Sequence, residues 1–266
     1  MQDNKFMALV ALANDRFPSH QSIISDLNAR LPEGEAVAIG NPQGAADDGS
    51  LMIEIGAAVY VCLFLSNAVP TGTFDHAAAA SHFWKEAAAD LAAHKAHVVV
   101  SEFSSGSGFE ARRTCALHVS LIAAAVCTQA DAIGLHWTTG ETVTRKEPFL
   151  DEIGQLSRGT WPVYVWLQYY WVGGKAEENP GLATYGLRAF IGRELEFEPG
   201  GLDQQTLFAR AGQIASYLVD NGDVLGDGET LGISESERIR VRHLAEGRRA
   251  GIPVLNLTLE RSGALH

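Results

Sequence analysis

Residues 97–103 read His97-Val98-Val99-Val100-Ser101-Glu102-Phe103, and the segments on either side of them decide the fold. Three consecutive β-branched residues beside a polar, glycine-rich stretch predict a buried strand. Upstream, Asp75 to Lys95 is rich in alanine, the best helix former, so a long helix is predicted there. Downstream, Ser104–Gly108 is a small polar loop. Glu110–Ala130 then predicts a second long helix, with Leu117, Leu121 and Ile122 on its apolar stripe.

Working outward, Phe6–Ala13 and Ile133–Trp137 read as short strands, and Ile23, Ile24, Leu27 and Leu31 fall at helical spacing behind an N-cap at Ser19. Asn41–Ser50 is turn-rich. Leu51–Ser66 is long for one strand, and Gly56 marks a bulge or bend in it. Val163–Val172 is aromatic and β-branched on both faces and predicts a central strand. Tyr185–Phe197 holds strand segments split near Gly192, Leu202–Val219 predicts a third long helix, and Leu231, Arg238–His243 and Pro253–Leu259 predict closing strands. Strands and helices do not alternate strictly. The expectation is therefore an α+β fold: mostly antiparallel or mixed sheet with long Ala-rich helices packed against it, in two similar halves without an aligned repeat. The parts are 1–137, a connecting segment 138–160, and 161–266, with packing as one domain left open.

The net charge of −12 repels phosphate backbones, so nucleic acid is not an expected partner. Cys62, Cys115 and Cys127 are odd in number and lack a Cys-x-x-Cys spacing. On one helix, Cys115 and Cys127 stand about 18 Å apart, too far to bond. Buried thiols in a reducing, cytoplasmic compartment are expected. No apolar run reaches the roughly 20 residues of a membrane span, and the short apolar start beside Asp3 does not make a secretory leader.

No catalytic or metal motif is legible, and no cofactor is expected. His94 and His97 form a His-x-x-His pair at a helix-to-strand junction, without the Glu of a zinc-protease helix. Ser104–Gly108 precedes a helix carrying Arg112 and Arg113, where an anion could sit, but it matches no phosphate-loop or nucleophile-turn pattern. Asp220, Asp223, Asp227 and Glu229 lack calcium-loop spacing. The aromatic run Trp161, Tyr164, Trp166, Tyr169, Tyr170 and Trp171 suits a core strand or a ligand cleft. Glu194, Glu196 and Glu198 alternate, so on a strand they share one face. That face is either a solvated edge or a docking stripe for a basic partner.

Four stretches, in order, resemble the bacterial family called domain of unknown function 4261. They are Lys95-Ala96-His97-Val98-Val99-Val100 behind His94, Ala132-Ile133-Gly134-Leu135-His136-Trp137, Thr184-Tyr185-Gly186-Leu187-Arg188-Ala189-Phe190 followed by Glu194-Leu195-Glu196, and Asp227-Gly228-Glu229-Thr230-Leu231-Gly232. Two departures stand out: Ile191 splits the family's Phe-Gly pair, and Arg193 replaces its proline. The resemblance implies an α+β bacterial cytoplasmic protein and carries over no reaction and no catalytic residues. Related domains occur in toxin–immunity gene clusters. The expected function is a non-catalytic protein-interaction module, such as an immunity protein that masks a basic cognate toxin. The alternatives are an enzyme or small-ligand binder whose site is assembled from residues distant in sequence, and a homo-oligomeric assembly role.

Overall fold

The computed structural model describes residues 5–39, 49–173, 180–200, 202–234 and 237–261. Most of the turn-rich stretch Asn41–Ser50 lies outside them. The chain divides into two compact units, Met1–Trp166 and Leu167–His266.

The first unit runs β1 (Met7–Leu12), α1 (His20–Arg30), β2 (Val37–Ile39), β3 (Ser50–Ile55), β4 (Ala58–Leu65), α2 (Asp75–Ala79), α3 (Ala87–Ala92), β5 (Ala96–Ser104) and α4 (Phe109–Gln129). It ends with β6 (Ala132–Trp137), β7 (Thr142–Arg145), α5 (Lys146–Gly154), a 3-10 turn over Gln155–Arg158, and α6 (Val163–Trp166). Its sheet has the order β2-β3-β4-β5-β1-β6-β7, antiparallel throughout. The valine strand β5 lies at its centre. Val98 and Val100 face the buried helix α4, whereas Val99 faces a cluster formed by Phe74, Ala77, Trp84 and Leu91. Helices therefore cover parts of both faces. Each fully buried aliphatic side chain, such as Ile122 on α4, contributes roughly 1.5–3 kcal/mol of transfer free energy.

The second unit runs β8 (Gln168–Val172), β9 (Gly181–Tyr185), α7 (Arg188–Ile191), β10 (Glu194–Phe197), α8 (Gln204–Asn221), β11 (Thr230–Ser234), β12 (Glu237–Leu244) and β13 (Val254–Arg261). Its mixed sheet has the order β11-β12-β13-β10-β9-β8, in which β10 and β13 are parallel. Asp203 caps α8 by accepting the Thr206 amide at 2.9 Å. The α+β class therefore holds, in two sheets that differ in strand number and direction.

Three elements differ from expectation. The helix over Asp75–Lys95 is two short helices, α2 and α3. Between them the Ser81 hydroxyl accepts the Trp84 amide at 3.2 Å, and Trp84 turns inward against Gly134, where a Cβ would lie 2.7 Å from the indole. Burying that indole overrides alanine propensity. Leu51–Ser66 is two strands, turned at Gly56, whose φ of +59° suits glycine. The aromatic run is not one strand. Pro162 opens α6, its carbonyl accepting the Val165 and Trp166 amides, and the strand begins only at Gln168. Trp161, Tyr164 and Trp166 thus belong to the first unit, and Tyr169, Tyr170 and Trp171 to the second.

Candidate functional site

Glu194 and Glu196 sit on β10, an interior strand between β9 and β13, and Glu198 follows its last residue. Glu194 and Glu196 are each only 4% exposed. The solvated stripe expected from their alternation is therefore not what the fold makes of them. The Glu194 carboxylate accepts four donors: the Thr184 hydroxyl at 2.8 Å and the amides of Gly186 (2.8 Å), Leu187 (3.1 Å) and Arg188 (3.1 Å). It closes the turn that leads into α7. Burial pushes its carboxyl above the ordinary range, against the pull of those donors. Glu196 accepts the Arg248 amide at 2.8 Å. Glu198 is the more accessible of the three and takes the Arg248 guanidinium and the Asn256 amide group. Glu194 and Glu196 thus have hydrogen-bond partners within the second unit.

The other sequence candidates separate in the same way. His94 accepts the Val69 amide at 2.8 Å, and His97 bonds the Asn67 carbonyl at 2.8 Å, so both hold the β4–α2 connection. Asp223 pairs with Arg193, Asp227 accepts the His243 amide, and Glu229 accepts the Gly226 amide. Among the described residues no three His, Cys, Asp or Glu side chains converge to hold a metal ion. The Ser104–Gly108 loop is different: Ser105 and Gly106 line a pocket of about 600 Å³.

That pocket lies in the first unit, between the α1–β2 loop, the β3–β4 hairpin and the start of α4. Ala111, Thr114 and His118 reach it from one face of α4, where residues three and four apart stand in line. His118 is 2% exposed, Tyr60 is 0% exposed, and they are bonded at 2.9 Å between the phenol oxygen and Nδ1. His118 Nε2 bonds Glu35 Oε2 at 2.6 Å. Tyr60 and Glu102 face each other across β4 and β5. The Cys115 thiol lies in hydrogen-bonding reach of both. Glu102 in turn accepts the Phe6 amide at 3.1 Å, the Ser105 hydroxyl, and Arg112 at 3.1 Å. A chain of polar groups thus runs from Glu35 through His118, Tyr60, Cys115 and Glu102 to Ser105, and both of its ends line the pocket.

The surroundings set the protonation of this chain. Burial pushes the Tyr60 phenol well above its ordinary value and the Cys115 thiol up to about 12, so both stay protonated at neutral pH. Burial also pulls His118 below 6.5, outweighing the opposite pull of Glu35. Burial works to raise Glu102 as well, but Ser105, the Phe6 amide, Cys115 and Arg112 together hold it below the usual carboxylate range. A protonated Tyr60 donates to His118 Nδ1, leaving Nε2–H to donate to Glu35. Sequence reasoning found the Ser104–Gly108 end of this site and missed Glu35, Tyr60, Glu102 and His118. One signal was present: Glu102 sets a carboxylate into a strand whose centre is three valines.

No curated protein matches the chain, and no solved structure matches it. Of the four stretches that carry the family resemblance, Lys95–Val100 and Ala132–Trp137 lie in the first unit, and the other two in the second. In the second unit Thr184, Gly186 and Glu194 are the residues that bond one another in the buried turn, so the short motif there has a structural cause. Over residues 183–258, within the second unit, the chain matches the family model described as Domain of unknown function (DUF4261).

Proposed function

We propose that the first unit binds a small polar ligand in the pocket above His118, in a site assembled from residues distant in sequence. The observation that supports this is the Glu35–His118–Tyr60 chain, which brings a carboxylate oriented by a buried imidazole to the wall of a 600 Å³ cavity. Pockets of this size take molecules of metabolite dimensions. Burial keeps Cys115 and Tyr60 protonated, so neither presents a thiolate or phenolate to the ligand. The test is thermal unfolding across a metabolite panel, comparing the natural chain with Ala58→Trp, which fills the cavity. Ligands that raise Tm only in the natural chain support the reading; a panel without such a ligand counts against it.

A protein-interaction role, with an immunity protein masking a cognate toxin as its sharpest form, is the second reading. Its support is the net charge of −12, which steers basic partners. Its local basis is weaker than the sequence suggested, because Glu194 and Glu196 are occupied within the second unit. Co-expression with the neighbouring gene's product, followed by pull-down and growth rescue, tests it; neither complex nor rescue would remove it.

A further inference from the structure

Resting on the pocket reading above, we infer that the ligand is an aliphatic cation: a primary ammonium or guanidinium on a short apolar stem, its charge set against Glu35 and its stem against Ile55, Ala57, Ala58 and Ala111.

The charge inventory around the cavity carries the inference. Among the described residues, the lining includes two carboxylates, Glu35 and Glu110, and no Lys or Arg. The nearby arginines are turned to other carboxylates: Arg113 holds Glu110 at 2.5 Å, and Arg112 holds Glu102 at 3.1 Å. Glu35 is different. Its Oε2 accepts from His118, a neutral imidazole that orients the carboxylate without cancelling its charge. Its Oε1 has no hydrogen-bond partner among the described residues. A carboxylate fixed by one oxygen, with the other open and its side chain 35% accessible, is a ready acceptor for an N–H cation. The N-terminal end of α4 works the other way and weakly favours an anion. An anion in this cavity would nonetheless face Glu35 with no lining cation to offset it. The walls fix the rest of the ligand. The small apolar side chains beside Glu35 suit methylene groups, and the Ser105 and Thr114 hydroxyls leave room for one further polar group.

The experiment uses four probes of similar length: pentylammonium, propylguanidinium, pentanoate and pentanol. Thermal unfolding and calorimetric titration at pH 7.5 are run on the full chain and on Glu35→Gln, Glu35→Ala and Ala58→Trp, with circular dichroism checking that each variant folds. Glu35 sits on an accessible loop, so its variants are expected to fold. The expected result is a Tm increase with pentylammonium or propylguanidinium, lost in Ala58→Trp and weakened about tenfold or more in affinity by both Glu35 substitutions. Pentanoate or pentanol binding that Ala58→Trp abolishes would overturn the cation and leave the pocket reading standing. Amine binding unchanged in both Glu35 variants would overturn the cation's place at Glu35. No probe bound in a manner sensitive to Ala58→Trp would overturn the cation inference, and the metabolite panel would then decide the pocket reading separately.

Discussion

Thr184 donates its hydroxyl to Glu194 Oε2 at 2.8 Å while its own oxygen accepts the Leu195 amide at 2.9 Å. One side chain thus locks the start of β10 to the end of β9. Substituting Glu194→Gln sets an NH2 group against a ring of donors, and Thr184→Val removes the bridge. We expect losses of about 3 kcal/mol for the first and about 1–3 kcal/mol for the second. Urea denaturation measures both, and hydrogen exchange at Gly186–Arg188 should rise in each.

Two glycines of the second unit are fixed by close approach. A Cβ at Gly181 would lie 2.4 Å from the Phe197 carbonyl oxygen, and one at Gly247 would lie 2.4 Å from Val254 and 2.6 Å from Glu196. A Cβ at Gly232 meets nothing within 4 Å. Gly181→Ala and Gly247→Ala should each cost roughly 1–3 kcal/mol, whereas Gly232→Ala should be near neutral. Denaturation midpoints of the three variants check the contrast.

Two buried histidines make the first unit sensitive to mild acid. His136 is 4% exposed, its ring nitrogens make no close hydrogen bond among the described residues, and Glu141 Oε2 stands 3.5 Å from Nε2. Glu141 is the one described non-glycine residue with positive φ, at +52°. Burial pulls both His118 and His136 below 6.5, Glu35 and Glu141 opposing it and His76 adding to it at His136. Below 6.5 the unfolded chain therefore takes up protons first. Stability is whole above that value and falls as pH drops from it toward the lowered folded-state values. His136→Gln should flatten part of this fall, as melting curves between about pH 7 and pH 5 would show. An unchanged slope would count against the assignment.

All three thiols are buried, and burial pushes each up to about 12. The native protein should react with a disulfide reagent only as fast as it opens, and denaturant should release all three thiols. Rapid reaction of one thiol in the native state would contradict the packing around it.

Local signals made the apolar elements legible. The strand at Val98–Val100 and the helix after Gly108 stand where periodicity puts them. The break at Ser81–Trp84 was hidden because Gly134, the surface that receives the indole, comes some fifty residues later in the chain. Alternation put Glu194 and Glu196 on one face of β10, but their burial comes with the amides of residues 186–188 and of Arg248, which alternation does not register. The same limit hid the pocket. His118 reads as one more residue on an apolar helix until β4 and β5 set Tyr60 opposite Glu102.

The parallel pairing of β10 with β13 has a consequence for how the second unit comes into being. β13 lies between β12 and β10, with α8, β11 and β12 separating it from β10 in the chain. Until residues 254–260 are in place, β11 and β12 form an isolated hairpin, and β10, β9 and β8 form a separate meander with an open edge. Assembly must wait for this late-synthesised segment, and the long loop it closes makes folding slow relative to the local hairpins. During translation, the half-built sheet presents an open edge to strand capture by a neighbouring chain.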